Sequence, residues 1–245
     1  IIKDGEIQLG NGPAENRWRP SIDVLFRSAA AHYSNRVIGI VLTGFLNDGV
    51  AGMSAIKRSG GFTIVQDPDE AEYPDMPLAV LDNMEVDYTV SLLCMKQTIQ
   101  AIIDTNKEQK AEAPPEVVRE SEIAENVAIS IDGVEKLGAR EFIACPDCGG
   151  GLWGIESDDI KRYRCHIGHS YTEKDLIIRQ AESLESTLWV ALRMMEERRG
   201  LFRKIANSEK IKGLYRLSAE NLKRAEALEE HIDKLKKVLF STKRV

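Results

Sequence analysis

Two groups of residues in this chain have the types and spacing for chemistry. The first is Thr43-Gly44-Phe45-Leu46-Asn47-Asp48-Gly49, which ends an apolar run from Val37 to Leu42. Gly44 and Gly49 permit a tight turn, and Asn47 and Asp48 stand at the mouth of a following helix. A carboxylate there has two uses. It can cap that helix, or it can orient a histidine, fix its tautomer and stabilise the imidazolium, as the acid of a Ser-His-Asp triad does. The second group joins Cys145-Pro146-Asp147-Cys148 to Cys165-His166-Ile167-Gly168-His169. A C-x2-C pair followed by a cysteine–histidine group is the spacing of a zinc site closed by four protein ligands, hence structural. Cys145, Cys148 and Cys165 supply three ligands. His169, at C-x3-H reach, is the expected fourth; His166 is the alternative, but adjacent side chains rarely bite one ion well. The bland reading is a set of unligated thiols. Redox use of Cys145 and Cys148 would need a thioredoxin-like setting that the pattern lacks.

The elements that must place these groups follow from periodicity. Residues 1–12 alternate weakly around Asp4-Gly5, a hairpin signal. Ser21 reads as a helix N-cap before the apolar stripe Ile22, Leu25, Phe26, Ala29. Residues 37–43 form a continuous run rich in β-branched side chains, as in a parallel strand covered on both faces. Helix 49–58, strand 62–66, helix 77–84, strand 86–90 and helix 91–104 complete a strand–helix alternation. That alternation predicts an α/β fold with a partial, doubly wound parallel sheet over 1–104. Residues 105–140 read as an acidic linker, rich in glutamate, with Pro114-Pro115. Residues 141–172 hold the expected zinc-ribbon-like module. Residues 173–245 carry Ile177, Ala181, Leu184, Leu188 and Met195, then Leu228, Ile232, Leu235 and Leu239, the rhythm of an antiparallel helical hairpin. Its seam can be satisfied within one chain or by self-association.

Composition narrows the classes. Apolar content of 43% and charged content of 29% suit a soluble protein of 245 residues. A net charge of −6 leaves no footprint for nucleic acid. Short basic groups at Lys234, Lys236, Lys237 and at Lys243, Arg244 read as a solvated helix face. No apolar run reaches the roughly 18 residues of a membrane span, and no leader is evident. Clustered thiols fit a reducing compartment, so the expected localisation is cytoplasmic. Cys94 reads as a small buried hydrophobe, and His32 as a helix-end residue favoured by the dipole.

Residues 1–104 resemble the C-terminal part of the catalytic domain of CheB-type chemotaxis protein-glutamate methylesterases. The carrying motifs are DGEIQLGNGPAENRWRPSIDVLFRSAA (4–30), VIGIVLTGFLNDGVAGMSAIKRSGG (37–61) and TIVQDPDEAEYPDMPLAVL (63–81). The resemblance implies a hydrolase of glutamate γ-methyl esters on chemoreceptors, with Asp48 as the triad aspartate and no catalytic cofactor. It places Asn47, Met76 and Pro77 at the substrate cleft, and it places the serine and histidine before Ile1. The chain departs from the family's TGMGxDG at Phe45 and Leu46, from its glycine at Asp75 and from its usual histidine at Trp18. No serine here lies in a strand–turn–helix elbow, so the chain alone is expected to be inactive. The competing expectation is a non-catalytic regulatory or interaction module with structural zinc.

Overall fold

The structure is a computed structural model that describes residues 1–3, 5–105, 111–126, 134–157 and 160–242. Asp4 of the expected hairpin turn, Lys107 and Glu108 of the acidic stretch, and Lys243 and Arg244 lie outside the described residues. The chain forms two compact units, 1–176 and 177–245.

The first unit opens with a short antiparallel hairpin, β1 (Ile2–Lys3) and β2 (Glu6–Ile7), followed by helix α1 (Ile22–Tyr33). Strands β3 (Ile38–Val41), β4 (Phe62–Gln66) and β5 (Tyr88–Val90) make a parallel sheet in that order. In its register Ile40 faces Ile64, and Ile64 faces Tyr88. Helices α2 (Val50–Arg58) and α3 (Asp75–Asn83) are the crossovers, and α4 (Leu92–Thr105) follows the last strand. Parallel neighbours need such connections, which is why apolar strands and amphipathic helices alternate here. Val41, Val50, Met53, Val65 and Val80 form the core under the sheet. α1 lies close on α2: a Cβ at Gly52 would stand 2.6 Å from the Phe26 Cβ, so only glycine allows the approach.

Two expectations change here. The acidic linker over 105–140 contains a docked helix, α5 (Pro115–Asn126), with Val117, Glu120, Ser121 and Ile123 buried. Pro115 sits at the first helical position, where its missing N–H costs nothing. Val117 joins Ala30, Ala55 and Ile56 in a second apolar cluster. Cys94 is exposed, not buried, because it falls on the open face of α4.

Strands β6 (Ala139–Ala144), β7 (Gly151–Ser157), β8 (Ile160–Cys165) and β9 (Ser170–Thr172) form a four-stranded antiparallel sheet in chain order. Cys145 and Cys148 occupy the β6–β7 turn, while Cys165 and His169 flank the β8–β9 turn. Leu152, Tyr163, Tyr171 and Leu176 pack around Cys145 and Cys165.

The second unit pairs the remainder of α6 (Glu173–Ile211) with α7 (Tyr215–Thr242). Leu192, Ile232 and Leu239 are its buried seam, flanked by Leu188, Met195 and Leu235. Asn221 bonds Glu209, Arg203 and Arg199 pair with Glu229, and Lys236 pairs with Glu196, so the partners run in opposite directions. Ile177 and Leu184, read as seam positions, are exposed, because α7 ends near the level of Leu188. Among the described residues no helix is long and apolar enough to cross a membrane.

Candidate functional site

Asp48 lies just beyond the carboxyl end of β3, in the turn that leads into α2. Local pattern makes it a cap for its own helix, yet Gly49, at φ +105°, is the N-cap of α2. Asp48 reaches across to α1 instead. Its Oδ1 accepts the Ser21 hydroxyl at 2.8 Å and the Asp23 N–H at 3.1 Å, and its Oδ2 accepts the Ile22 N–H at 2.8 Å. Ser21, expected to cap α1 through its own side chain, makes no such bond and donates to Asp48. First-turn amides of a helix lack intrahelical partners, so this carboxylate satisfies two of them and meets the positive end of the dipole. Asp48 is only 6% exposed. Burial pushes its carboxyl above the usual range, against the Ile22, Ser21 and Asp23 hydrogen bonds, which hold it down. A carboxylate offers about four acceptor sites. Among the described residues three are used, all by α1 and its cap.

Asp23 is a second buried acid beside it. Its Oδ2 accepts Asn16 Nδ2 at 2.6 Å and its Oδ1 accepts the Gly52 N–H at 2.7 Å. Burial, then the neighbouring Asp48 charge, push its carboxyl up to about 7. Beyond it lies a buried ionic network that no local motif announced. Arg27 donates to both oxygens of Glu15, at 3.2 and 2.6 Å, and its Nε stands 3.4 Å from Glu120. Arg162 pairs with both oxygens of Glu120 at 2.8 Å, and Arg164 donates to Glu15. Burial alone would raise the Glu120 carboxyl, but Arg162 and Arg27 outweigh it and hold it far below the usual carboxylate range. Arg162 and Arg164 share one face of β8 by the two-residue period of a strand. That alternation is the sequence signal for these two arginines, one of which meets Glu120 of α5 and the other Glu15.

A cavity of about 310 Å³ opens next to the cap, with Ile1, Pro13, Trp18, Ser21, Val24 and Gly168 in its wall. Asp48 does not line it. Ser21, whose hydroxyl holds Asp48, stands between them. The other residues expected at the cleft, Asn47, Met76 and Pro77, do not line this cavity either. Met76 N–H bonds the Gly44 carbonyl at 3.0 Å, and its sulfur packs on Gly44 where a Cβ would be 2.3 Å away. Pro77 is buried in α3. Asn47 is engaged: its Nδ2 donates to Asp175 at 2.8 Å and to Thr172 at 3.4 Å. Phe45 stacks on Tyr73 with centroids 4.2 Å apart, at an exposed apolar rim with Leu42 and Leu46.

The sulfurs of Cys145, Cys148 and Cys165 and a His169 nitrogen all lie within 4.8 Å of one another. Cys148 and Cys165 sulfurs are 3.7 Å apart, and His169 Nδ1 is 3.7 Å from Cys145 and 3.5 Å from Cys165. Tetrahedral zinc with Zn–S near 2.3 Å requires sulfurs about 3.8 Å apart, so the donor set fits that ion. The backbone N–H groups of Cys148, Gly150 and Gly168 point at the three sulfurs. A hydrogen bond from Cys165 leads in lowering the Cys145 thiol, to about 3, and the same bond lifts Cys165. Tyr171 hydroxyl donates to Asp147 at 2.5 Å and lies 3.2 Å from Cys145, fixing the first turn on the second. The His166 ring lies against Gly150, outside the gathered ligands.

Residues 1–99 match the CheB methylesterase family. A relative from Leptospira interrogans is 39% identical over 110 residues, which cover 45% of this chain and 57% of that protein. The protein-glutamate methylesterase/protein-glutamine glutaminase of Photorhabdus laumondii is 36% identical over 104 residues, 42% of this chain and 30% of that one. A solved CheB methylesterase catalytic domain from Thermotoga maritima aligns with 43% of this chain and 56% of that chain, at 24% identity and a TM-score of 0.37. The chain thus spans little more than half of the Leptospira relative and under a third of the Photorhabdus one. The matched segment ends within α4, ahead of α5 and the antiparallel sheet.

Proposed function

We propose that the chain is part of a protein-glutamate methylesterase, a carboxylic ester hydrolase of chemotaxis signalling, in which Asp48 is the acid of a Ser-His-Asp triad. The observation that carries this reading is the Asp48 carboxylate itself. It is buried, oriented by three hydrogen bonds, and keeps one acceptor site among the described residues. A histidine from polypeptide outside these 245 residues would donate to that site. The fixed carboxylate would then hold the imidazole's tautomer and stabilise its charged form as the serine is deprotonated. Asn47, Met76 and Pro77 would border the substrate, a glutamate methyl ester on a chemoreceptor helix. The relatives' names add a glutamine side-chain amide as a second substrate, and both reactions are acyl transfers to water through the same triad. The setting is cytoplasmic, and no cofactor takes part in the reaction.

Cys145, Cys148, Cys165 and His169 would hold zinc as a structural ion. Four protein ligands leave no open coordination position, so the ion would supply folding energy and no chemistry.

The test is methanol release from methylated receptor by protein expressed from its whole reading frame. Asp48→Asn should lower kcat on the order of 10⁴-fold. Unchanged kcat would remove Asp48 from the mechanism. One observation favours a second reading, a non-catalytic module: all three bonds to Asp48 come from α1 and its cap, and Asn47 is held by Asp175. Absence of a serine and a histidine from that reading frame's domain would establish it.

A further inference from the structure

Two runs of hydrogen bonds join the Cys165–His169 turn to the Asp48 turn. The first starts at the residues that flank the ligands. Arg164, next to Cys165, donates to Glu15, and the Ser170 carbonyl, next to His169, accepts the Asn16 N–H at 2.9 Å. Asn16 is 3% exposed and held in the left-handed region at φ +46°. Its side chain is used at both ends: Oδ1 accepts the Thr172 N–H at 3.2 Å, and Nδ2 donates to Asp23 at 2.6 Å. The backbone N–H of Asp23 then bonds Asp48. The second run arrives from the other side. Thr172 and Asp175 cap α6 reciprocally, the hydroxyl donating at 2.6 Å and the Asp175 N–H returning at 3.2 Å. The Asp175 carboxylate, 4% exposed, accepts Asn47, the residue before Asp48. The same turn also packs on the cavity wall, because a Cβ at Gly168 would meet the Pro13 ring at 2.8 Å.

We propose that the Cys145–Cys148–Cys165–His169 cluster, when it holds a metal ion, anchors a clamp that fixes the Asn47–Asp48 turn, with Asn16 and Asp175 as its positioning residues. The clamp bears on catalysis only through the reading of Asp48 given above. Its physical basis is that the β8–β9 turn is short and carries two ligands. Tying both to one ion sets where Arg164, Ser170 and Thr172 stand. Those three residues hold Glu15 and Asn16, and Asn16 holds the start of α1 against Asp48. Each link is a directional hydrogen bond to a buried group, so a displaced turn leaves buried donors without partners, which is costly.

Hydrogen–deuterium exchange of the full chain tests this without any ester substrate. In zinc-loaded protein the amides of Ile22, Asp23 and Gly52 should be protected. Chelation should speed their exchange by about tenfold or more while the amides of Ile64 and Val65 in β4 stay protected. Asn16→Gly keeps the left-handed backbone and deletes both side-chain bonds. With cobalt(II) as the probe ion, this variant should show the same thiolate absorption as the parent but the faster exchange of the chelated state at Ile22 and Asp23. Three results would overturn the clamp: no metal uptake, unchanged exchange at those amides on chelation, or equal loss of protection at β4, which would make the ion a support of the whole unit. None of them bears on the esterase assay, and a failed esterase assay leaves the exchange result standing.

Discussion

The Asp48 turn and the cysteine–histidine cluster are both strand-end turns that bring charge-bearing groups into buried surroundings, and they differ in what answers that charge. Asp48 is met by N–H and O–H donors of its own chain, two of them orphan amides of α1. The ionic network beside it follows the same plan, with Glu15 and Glu120 enclosed by three arginines. In both, the carboxylates find their donors within the folded chain. The three cysteine sulfurs have amide donors and one another, at spacings set for a cation between them. The contrast teaches that the Asp48 carboxylate is held by donors of the fold itself, whereas the four gathered donors are spaced for a cation that would have to come from outside the chain and could be withdrawn without changing a residue.

The sharpest way to break the contrast is to remove the ion. Structural zinc contributes on the order of 10 kcal/mol to small metal-built domains. Wild-type protein should therefore carry one zinc per chain, and a chelator or Cys165→Ser should unfold the antiparallel sheet of β6 to β9 while β3 to β5 persist. Metal analysis with chelator-dependent melting and NMR dispersion reads this out, and a melt indifferent to chelator would erase the difference between the two sites.

Next in size is the buried ionic network. Glu120→Ala leaves Arg162 buried without its carboxylate and removes one partner of Arg27. Breaking a buried pair costs about 3–5 kcal/mol, so the urea midpoint should fall sharply even with zinc bound. A loss below about 1 kcal/mol would show water or another acid compensating, and would blur the claim that the chain meets these charges alone.

The smallest effect is a pH dependence. The Asp23 carboxyl titrates near 7 in the folded protein against an ordinary 3.8. A raised folded value means the contribution is fully present below about pH 3.8 and is lost as pH rises through about 7. Asp23→Asn removes that dependence. The stability difference between variant and wild type should move in the variant's favour from pH 4 to pH 8, as read by urea unfolding. A difference that is flat with pH would place the Asp23 charge on a par with that of an exposed carboxylate.

How much of this was legible in the sequence depends on range. Strands β3 and β4 and helices α1 and α2 stand where apolar runs and 3.6-residue stripes put them, because each pattern is local. The gathering of Cys145, Cys148, Cys165 and His169 was readable for the same reason: C-x2-C and C-x3-H are patterns written within a few residues. α5 was missed because Glu120 looked like one more solvated acid; its partners Arg27 and Arg162 lie far away in the chain. Cys94 was misplaced because a single apolar-looking residue says nothing of which helix face is covered. Asn47 was expected to be open to substrate, and the residue that holds it, Asp175, belongs to a helix beyond the matched segment.

The amino-acid order alone determined the elements and the donor types, since backbone propensity, side-chain period and thiol chemistry all act within a few residues. Only tertiary structure decided which helix Asp48 caps, which acids neutralise Arg27, Arg162 and Arg164, and that the cysteine turn is tied to the Asp48 turn. Those are pairings between groups distant in the chain, and a buried charge or an orphan amide is satisfied by whatever folding brings within hydrogen-bond reach.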